Sequence, residues 1–147
     1  MRDFGHSDAW RVAHLLPRPD GMKPSKRILI VDDNPVVQEV LKQFLVRGYL
    51  VELATNASQA LASVVQKSPD AILLDVRMPG VDGLGLLKSL RGMGVETPIF
   101  VMTGYDSTQV ALEALENGAT GYLPKPFDLL HLDKLIAHAL GSQPAYA

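Results

Sequence analysis

The chain has 147 residues, 47% of them hydrophobic and 20% charged, with a formal net charge of -2, which fits one soluble globular domain large enough to bury a core. That charge gives no general reason to expect nucleic acid as a partner, and the absence of cysteine excludes disulfides and thiolate metal sites. No apolar run approaches the ~18 residues of a membrane-spanning helix, and Asp3, Asp8 and Arg11 interrupt any secretory signal core.

Residues 1–25 hold Pro17, Pro19, Gly21 and Pro24 amid scattered charge and are expected to form a flexible extension. Within them "SDAWRVAHLL" also carries the spacing of a short amphipathic helix. From Arg27 a β-rich run followed by an amphipathic helix recurs five times. "RILIVD" (27–32) leads to Asn34-Pro35, a cap and a first-turn proline, and to a stripe of Val37, Val40, Leu41, Phe44 and Leu45 stopped at Gly48. "YLVELA" (49–54) precedes Asn56 and Gln59, spaced as a capping box, with Ala57, Ala60, Leu61, Val64 and Val65 behind them. "DAILLD" (70–75) runs into the turn residues Pro79-Gly80, and Asp82 opens a helix through Leu84, Leu87 and Leu90 that ends near Gly92 and Gly94. "TPIFVM" (97–102) is followed by Val110, Ala111, Ala114 and Leu115, closed by Asn117-Gly118. "TGYLP" (120–124) comes last, with Asp128 capping a helix through Leu129, Leu132, Leu135, Ile136 and Ala139. Residues 142–147 remain as a short tail, too short for an output domain.

Three of these runs are continuously apolar rather than alternating, the pattern of strands covered on both faces. Strands alternating with helices predict an α/β fold: a doubly wound, five-stranded parallel sheet, (βα)5 and flavodoxin-like, in the order 2-1-3-4-5. Such sheets place ligands outside the carboxyl ends of their strands. Those ends carry Asp32-Asp33, Asp75, Thr103-Gly104 and Lys125-Pro126. Strands one and three are neighbours in this order, so the three acids meet. Close carboxylates repel unless a cation is bound, and oxygen ligands with room for waters suit Mg²⁺. A carboxylate nucleophile, a hard cation, a hydroxyl and an ammonium are what phosphoryl transfer requires.

"ILIVDDNP", "ILLDVRMPGVDG", "VMTGY" and "GATGYLPKPF" together resemble the signature blocks of response-regulator receiver domains of two-component signalling, over about residues 26–141. The resemblance implies that Asp75 accepts a phosphoryl group from a phosphohistidine. It implies that Asp33, Asp75 and the backbone carbonyl of Arg77 bind Mg²⁺ directly, while Asp32 acts mostly through water. Thr103 and Lys125 then hold the phosphoryl oxygens, and Tyr122 is the switch aromatic that turns inward on activation. Arg77 and Tyr105 stand where the family tunes dephosphorylation, and Lys125-Pro126 is a candidate cis bond. "MKPSKRILIVDD" from Met22 resembles a natural receiver opening, so residues 1–21 are expected to be dispensable.

The implied protein is a cytoplasmic phosphorelay switch, not an enzyme on other substrates. Its donor is a histidine kinase or a histidine phosphotransfer protein, and its effector is reached through the fourth helix, fifth strand and fifth helix. No direct nucleic-acid or membrane binding is expected, and a phosphorylation-dependent dimer is compatible with the family. The alternative is that the chain is a receiver fragment of a larger regulator or hybrid histidine kinase. A haloacid-dehalogenase-type phosphatase needs a second Asp two residues after the nucleophile, where Arg77 stands. A flavin- or nucleotide-binding module needs a Gly- or hydroxyl-rich loop after the first strand, where "DDNPVV" offers acids. His6, His14, His131 and His138 show no metal spacing, and the last two are expected at the surface.

Overall fold

The computed structural model describes residues 25–78, 81–104 and 108–146, the side chains of Met78, Val81 and Asp82 excepted. The amphipathic stretch 7–16 therefore lies outside the described residues. Among the described residues, five strands alternate with five helices: β1 (Arg27–Val31), α1 (Pro35–Leu45), β2 (Leu50–Ala54), α2 (Ala57–Gln66), β3 (Ala71–Asp75), α3 (Gly83–Gly92), β4 (Ile99–Gly104), α4 (Thr108–Glu116), β5 (Gly121–Lys125) and α5 (Leu129–Leu140). The strands form one parallel sheet in the expected order β2-β1-β3-β4-β5. Between β3 and α3, a short antiparallel ribbon pairs Arg77–Met78 with Val81–Asp82.

The continuous apolar runs follow from this topology. Successive strand side chains point to opposite faces, and here both faces are covered. Leu29, Val31, Ile72, Leu74, Ile99 and Val101 pack with residues of α2, α3 and α4. Their alternates Ile28, Ile30, Ala71, Leu73, Phe100 and Met102 pack with residues of α1 and α5. A strand buried on both faces has no position left for a polar side chain until it reaches its end. That is why the acids stand there.

Local signals placed the helix starts well. Asn34 accepts from the N–H groups of Val36 and Val37, and Asp128 from that of His131. The Asn56 side-chain oxygen accepts from Gln59 N–H, but the return bond goes one residue earlier than a capping box requires, from Thr55 N–H to Gln59 Oε1. Gly94 and Gly118 end their helices at positive φ, 85° and 103°. Gly48 does not. It is absent from the positive-φ positions, and α1 ends instead with Val46 N–H bonded to Lys42 O.

Three stripe residues are displaced from the expected core: Val40, Val65 and Leu115 are exposed. Gln38 is buried instead because its side-chain amide donates to Ala54 O at the end of β2, at 2.9 Å. The fourth strand starts at Ile99 and runs through Gly104 rather than spanning 97–102, because the ladder to β5 continues through the Thr103–Pro124 and Gly104–Lys125 pairs. Apolar periodicity ends before that ladder does.

Candidate functional site

The register of β1 on β3 pairs Val31 with Leu74, so the next rung brings Asp32 beside Asp75. Asp32 N–H still donates to Ala54 O of β2, at 3.0 Å. The Asp32 side chain is fully buried. Its Oδ1 accepts from Asn34 N–H at 2.8 Å, and its Oδ2 has no hydrogen-bond partner. Asp75 is nearly buried as well; its Oδ1 accepts from Arg77 N–H at 2.9 Å and its Oδ2 from Lys125 Nζ at 3.3 Å. Lys125 Nζ also lies 3.8 Å from Asp32 Oδ2. Asp33 is exposed. It completes a group in which each acid offers an oxygen within 4.8 Å of the others.

Three carboxylates thus face one ammonium. Burial raises the Asp32 carboxyl above its ordinary 3.8, the Asn34 N–H opposes this, and Asp75 raises it further against the pull of Lys125, with Asp33 adding to the rise. An orphaned, desolvated oxygen amid like charges is a site built for a cation. The all-oxygen donor set fits Mg²⁺, and it is the only group of three such residues among those described.

The remaining expected residues sort by strand phase. Thr103 is buried at the end of β4, one residue past Met102, the partner of Asp75. Tyr122 pairs with Val101 and is 46% exposed. Val101 belongs to the core beneath α2–α4, and parallel-register partners share a face, so Thr103 and Tyr122 lie on the α4 side of the sheet. Lys125-Pro126 is cis. Arg77 is exposed, as are His131 and His138. Tyr105 lies outside the described residues.

Two contributors escaped the sequence reading. Gln38 fastens α1 to the end of β2, and its signal was a polar residue beside an apolar stripe. Gly83 sits where a Cβ would fall 2.4 Å from Val76 Cα and 2.7 Å from Asp75 O. Its signal was the glycine closing "PGVDG" eight residues after Asp75.

A doubly wound sheet with a carboxylate–ammonium pocket on its carboxyl edge defines a receiver-type α/β domain. Comparison with known proteins agrees: residues 28–137 match the response regulator receiver domain, and the chain belongs to that family. It is a receiver domain of two-component signalling, a family of switches that bind Mg²⁺ at an acidic pocket and not of classical enzymes. The chain is 47% identical over 109 residues to response regulator MprA of Mycobacterium tuberculosis, covering 74% of this chain and 47% of that protein. Among solved structures, it resembles the receiver domain of NtrX from Brucella abortus with a TM-score of 0.75 and 28% identity, over 79% of this chain and 99% of that one. A two-component response regulator from Clostridium difficile gives a TM-score of 0.75 and 31% identity, over 80% and 97%. The chain spans about half the length of the curated relatives it matches. No described helix is long and apolar enough to cross a membrane.

Proposed function

We propose that Asp75 is the phosphoacceptor, receiving its phosphoryl group from a phosphohistidine on a histidine kinase or phosphotransfer protein. A carboxylate oxygen of Asp75 bonds to phosphorus as the P–N bond breaks, and the imidazole leaves with the electron pair and takes up a proton. Asp33, Asp75 and the Arg77 carbonyl would hold Mg²⁺, and Asp32 would act through water. The cation supplies neutralisation of the carboxylates and of the phosphoryl oxygens.

The observation that carries this reading is Lys125, whose ammonium stands within reach of both Asp75 and Asp32. It is placed to bind an oxygen of a group attached to Asp75. The Thr103 hydroxyl supplies a second donor by moving toward the new dianion. That withdrawal opens space on the α4 side, into which the exposed Tyr122 ring turns. Leu112, Leu115, Tyr122 and Leu130 are exposed along α4, β5 and α5, an apolar surface on which an effector or a second phosphorylated copy reads the change. Arg77 and Tyr105 set how readily water reaches the acyl phosphate. The domain works in the cytoplasm without contacting nucleic acid or membrane, and its only catalysis is of its own phosphorylation and dephosphorylation. The match to about half of each curated relative favours a second reading beside this one, a receiver belonging to a longer regulator or hybrid kinase. Asp32, Asp75 and Lys125 act identically in both.

Incubation with acetyl phosphate and Mg²⁺ should label Asp75 by one phosphoryl group, and Asp75→Asn should abolish the label. Thr103→Ala should accept phosphate yet lose the change at Tyr122, read by fluorescence or NMR. A label mapped by mass spectrometry to another residue refutes the assignment.

A further inference from the structure

Residues 142–146 do not behave as a loose end. The left-handed Gly141 closes α5, and the chain then turns back across α5 onto the end of α1. There Asp133 receives it. Asp133 lies on α5 between Leu132 and Ile136, and only 2% of it is exposed. Its Oδ1 accepts from Ala145 N–H at 3.0 Å and its Oδ2 from Tyr146 N–H at 2.9 Å. A buried carboxylate with both oxygens used by consecutive amides is a fork fitted to a turn, whose successive N–H groups point the same way.

The Tyr146 ring stacks on Phe44 with centroids 4.4 Å apart and planes 13° from parallel. Its hydroxyl donates to Phe44 O at 2.6 Å, a carbonyl of the last turn of α1, where helix geometry leaves acceptors open. Arg47 Nε donates to Ala145 O at 3.2 Å, and the guanidinium lies 5.8 Å from the Tyr146 ring centre. Burial raises the Tyr146 phenol above its ordinary 10.0, with Arg47 opposing and Asp133 adding, so the hydroxyl keeps the proton it donates.

We propose that Phe44, Arg47 and Asp133 form a peptide-docking groove between α1 and α5, and that Ala145–Tyr146 of the same chain is its ligand, held in cis as a releasable strap. The groove reads two consecutive amide N–H groups presented by a turn, which fix the backbone on Asp133, and a tyrosine ring, which stacks on Phe44. Only Ser142, Gln143 and Pro144 separate Gly141 from the docked pair. So short a tether gives an effective concentration of order millimolar, and modest contacts are enough to hold the strap. The groove uses the carboxyl end of α1, whereas the acidic site lies beyond its amino end. Docking and phosphorylation are therefore separable.

A chain ending at Ser142 leaves the groove open. Fluorescein-labelled Gly-Ser-Gln-Pro-Ala-Tyr-Ala should bind this truncated chain with a dissociation constant of order 0.1 mM or tighter, and, because the cis strap competes at about millimolar, bind the full chain at least tenfold more weakly. Asp133→Asn in the truncated chain, or alanine in place of tyrosine in the peptide, should weaken binding by a similar factor. Equal binding to both chains, or binding to neither, overturns the proposal. A dimer of the full chain that disappears on truncation assigns the strap to a second copy's groove and overturns the cis reading. The full chain supplies a measurement that survives misfolding of the truncated one: the Ala145 and Tyr146 amides should exchange hydrogen at least tenfold more slowly than in the free peptide. Free exchange there refutes docking. Acetyl phosphate labelling of the truncated chain checks the phosphoacceptor site separately.

Discussion

Asp32 is a residue whose surroundings weigh against the fold. Its carboxyl is held above 3.8 chiefly by burial, so the folded protein binds that proton more tightly than the unfolded chain does. The resulting stabilisation is present below pH 3.8 and is lost as the pH rises through the folded value. At neutral pH the ionised group therefore opposes metal-free folding. Its Oδ2 has no hydrogen bond, and Lys125 at 3.8 Å is shared with Asp75, which stands closer at 3.3 Å. Asp32→Asn keeps an oxygen for the Asn34 N–H and removes the charge. In a chelator its melting temperature should rise by a few degrees, corresponding to about 1 kcal/mol. A fall would show that the charge holds Lys125 in place rather than being tolerated there.

At the scale of elements, the approach of α3 to β3 decides where Asp75 points. Gly83 opens α3 directly against the backbone of Asp75 and Val76, and the atoms that a Cβ would meet are Val76 Cα and Asp75 O. Backbone does not yield as a flexible side chain does. Gly83→Ala should therefore lower stability by about 1–3 kcal/mol in urea denaturation and slow acetyl phosphate labelling together, since the displaced strand end carries the acceptor. Unchanged labelling with lowered stability would separate helix packing from carboxylate position. A different device works at the opposite edge of the sheet. Arg91 of α3 donates to Val95 O, Thr97 O and Gly118 O, tying the loops that enter β4 and β5 to one side chain.

For the molecule as a whole, the acidic pocket links metal binding to folding. Three acids and one ammonium leave two negative charges uncompensated, a cost that exists only when the sheet brings the strand ends together. A cation bound to the folded state alone stabilises it by mass action, about 1.4 kcal/mol at ten times its dissociation constant. Millimolar Mg²⁺ should accordingly raise the wild-type melting temperature by a few degrees, and Asp33→Ala should respond less. A wild type that melts at the same temperature with and without Mg²⁺ would remove the metal assignment and leave the family membership intact.

Much of this protein was determined locally and was therefore legible in order along the chain. Asn34, Asn56 and Asp128 cap helices because their side chains bond amides two or three residues away. The apolar runs of β1, β3 and β4 announced a sheet buried on both faces, and the acids ending two of them announced an edge where charge is used. Tertiary structure decided what depended on residues distant in sequence. Gln38 became core because its amide finds an acceptor sixteen residues away, in the carbonyl of Ala54, while Val40 and Val65 lost their places to geometry that periodicity does not resolve. Asp133 is buried on α5 because amides twelve and thirteen residues downstream come back to it, a pairing that no local pattern signals. Burial and charge pairing are properties of neighbours in space, and only the folded chain chooses those neighbours.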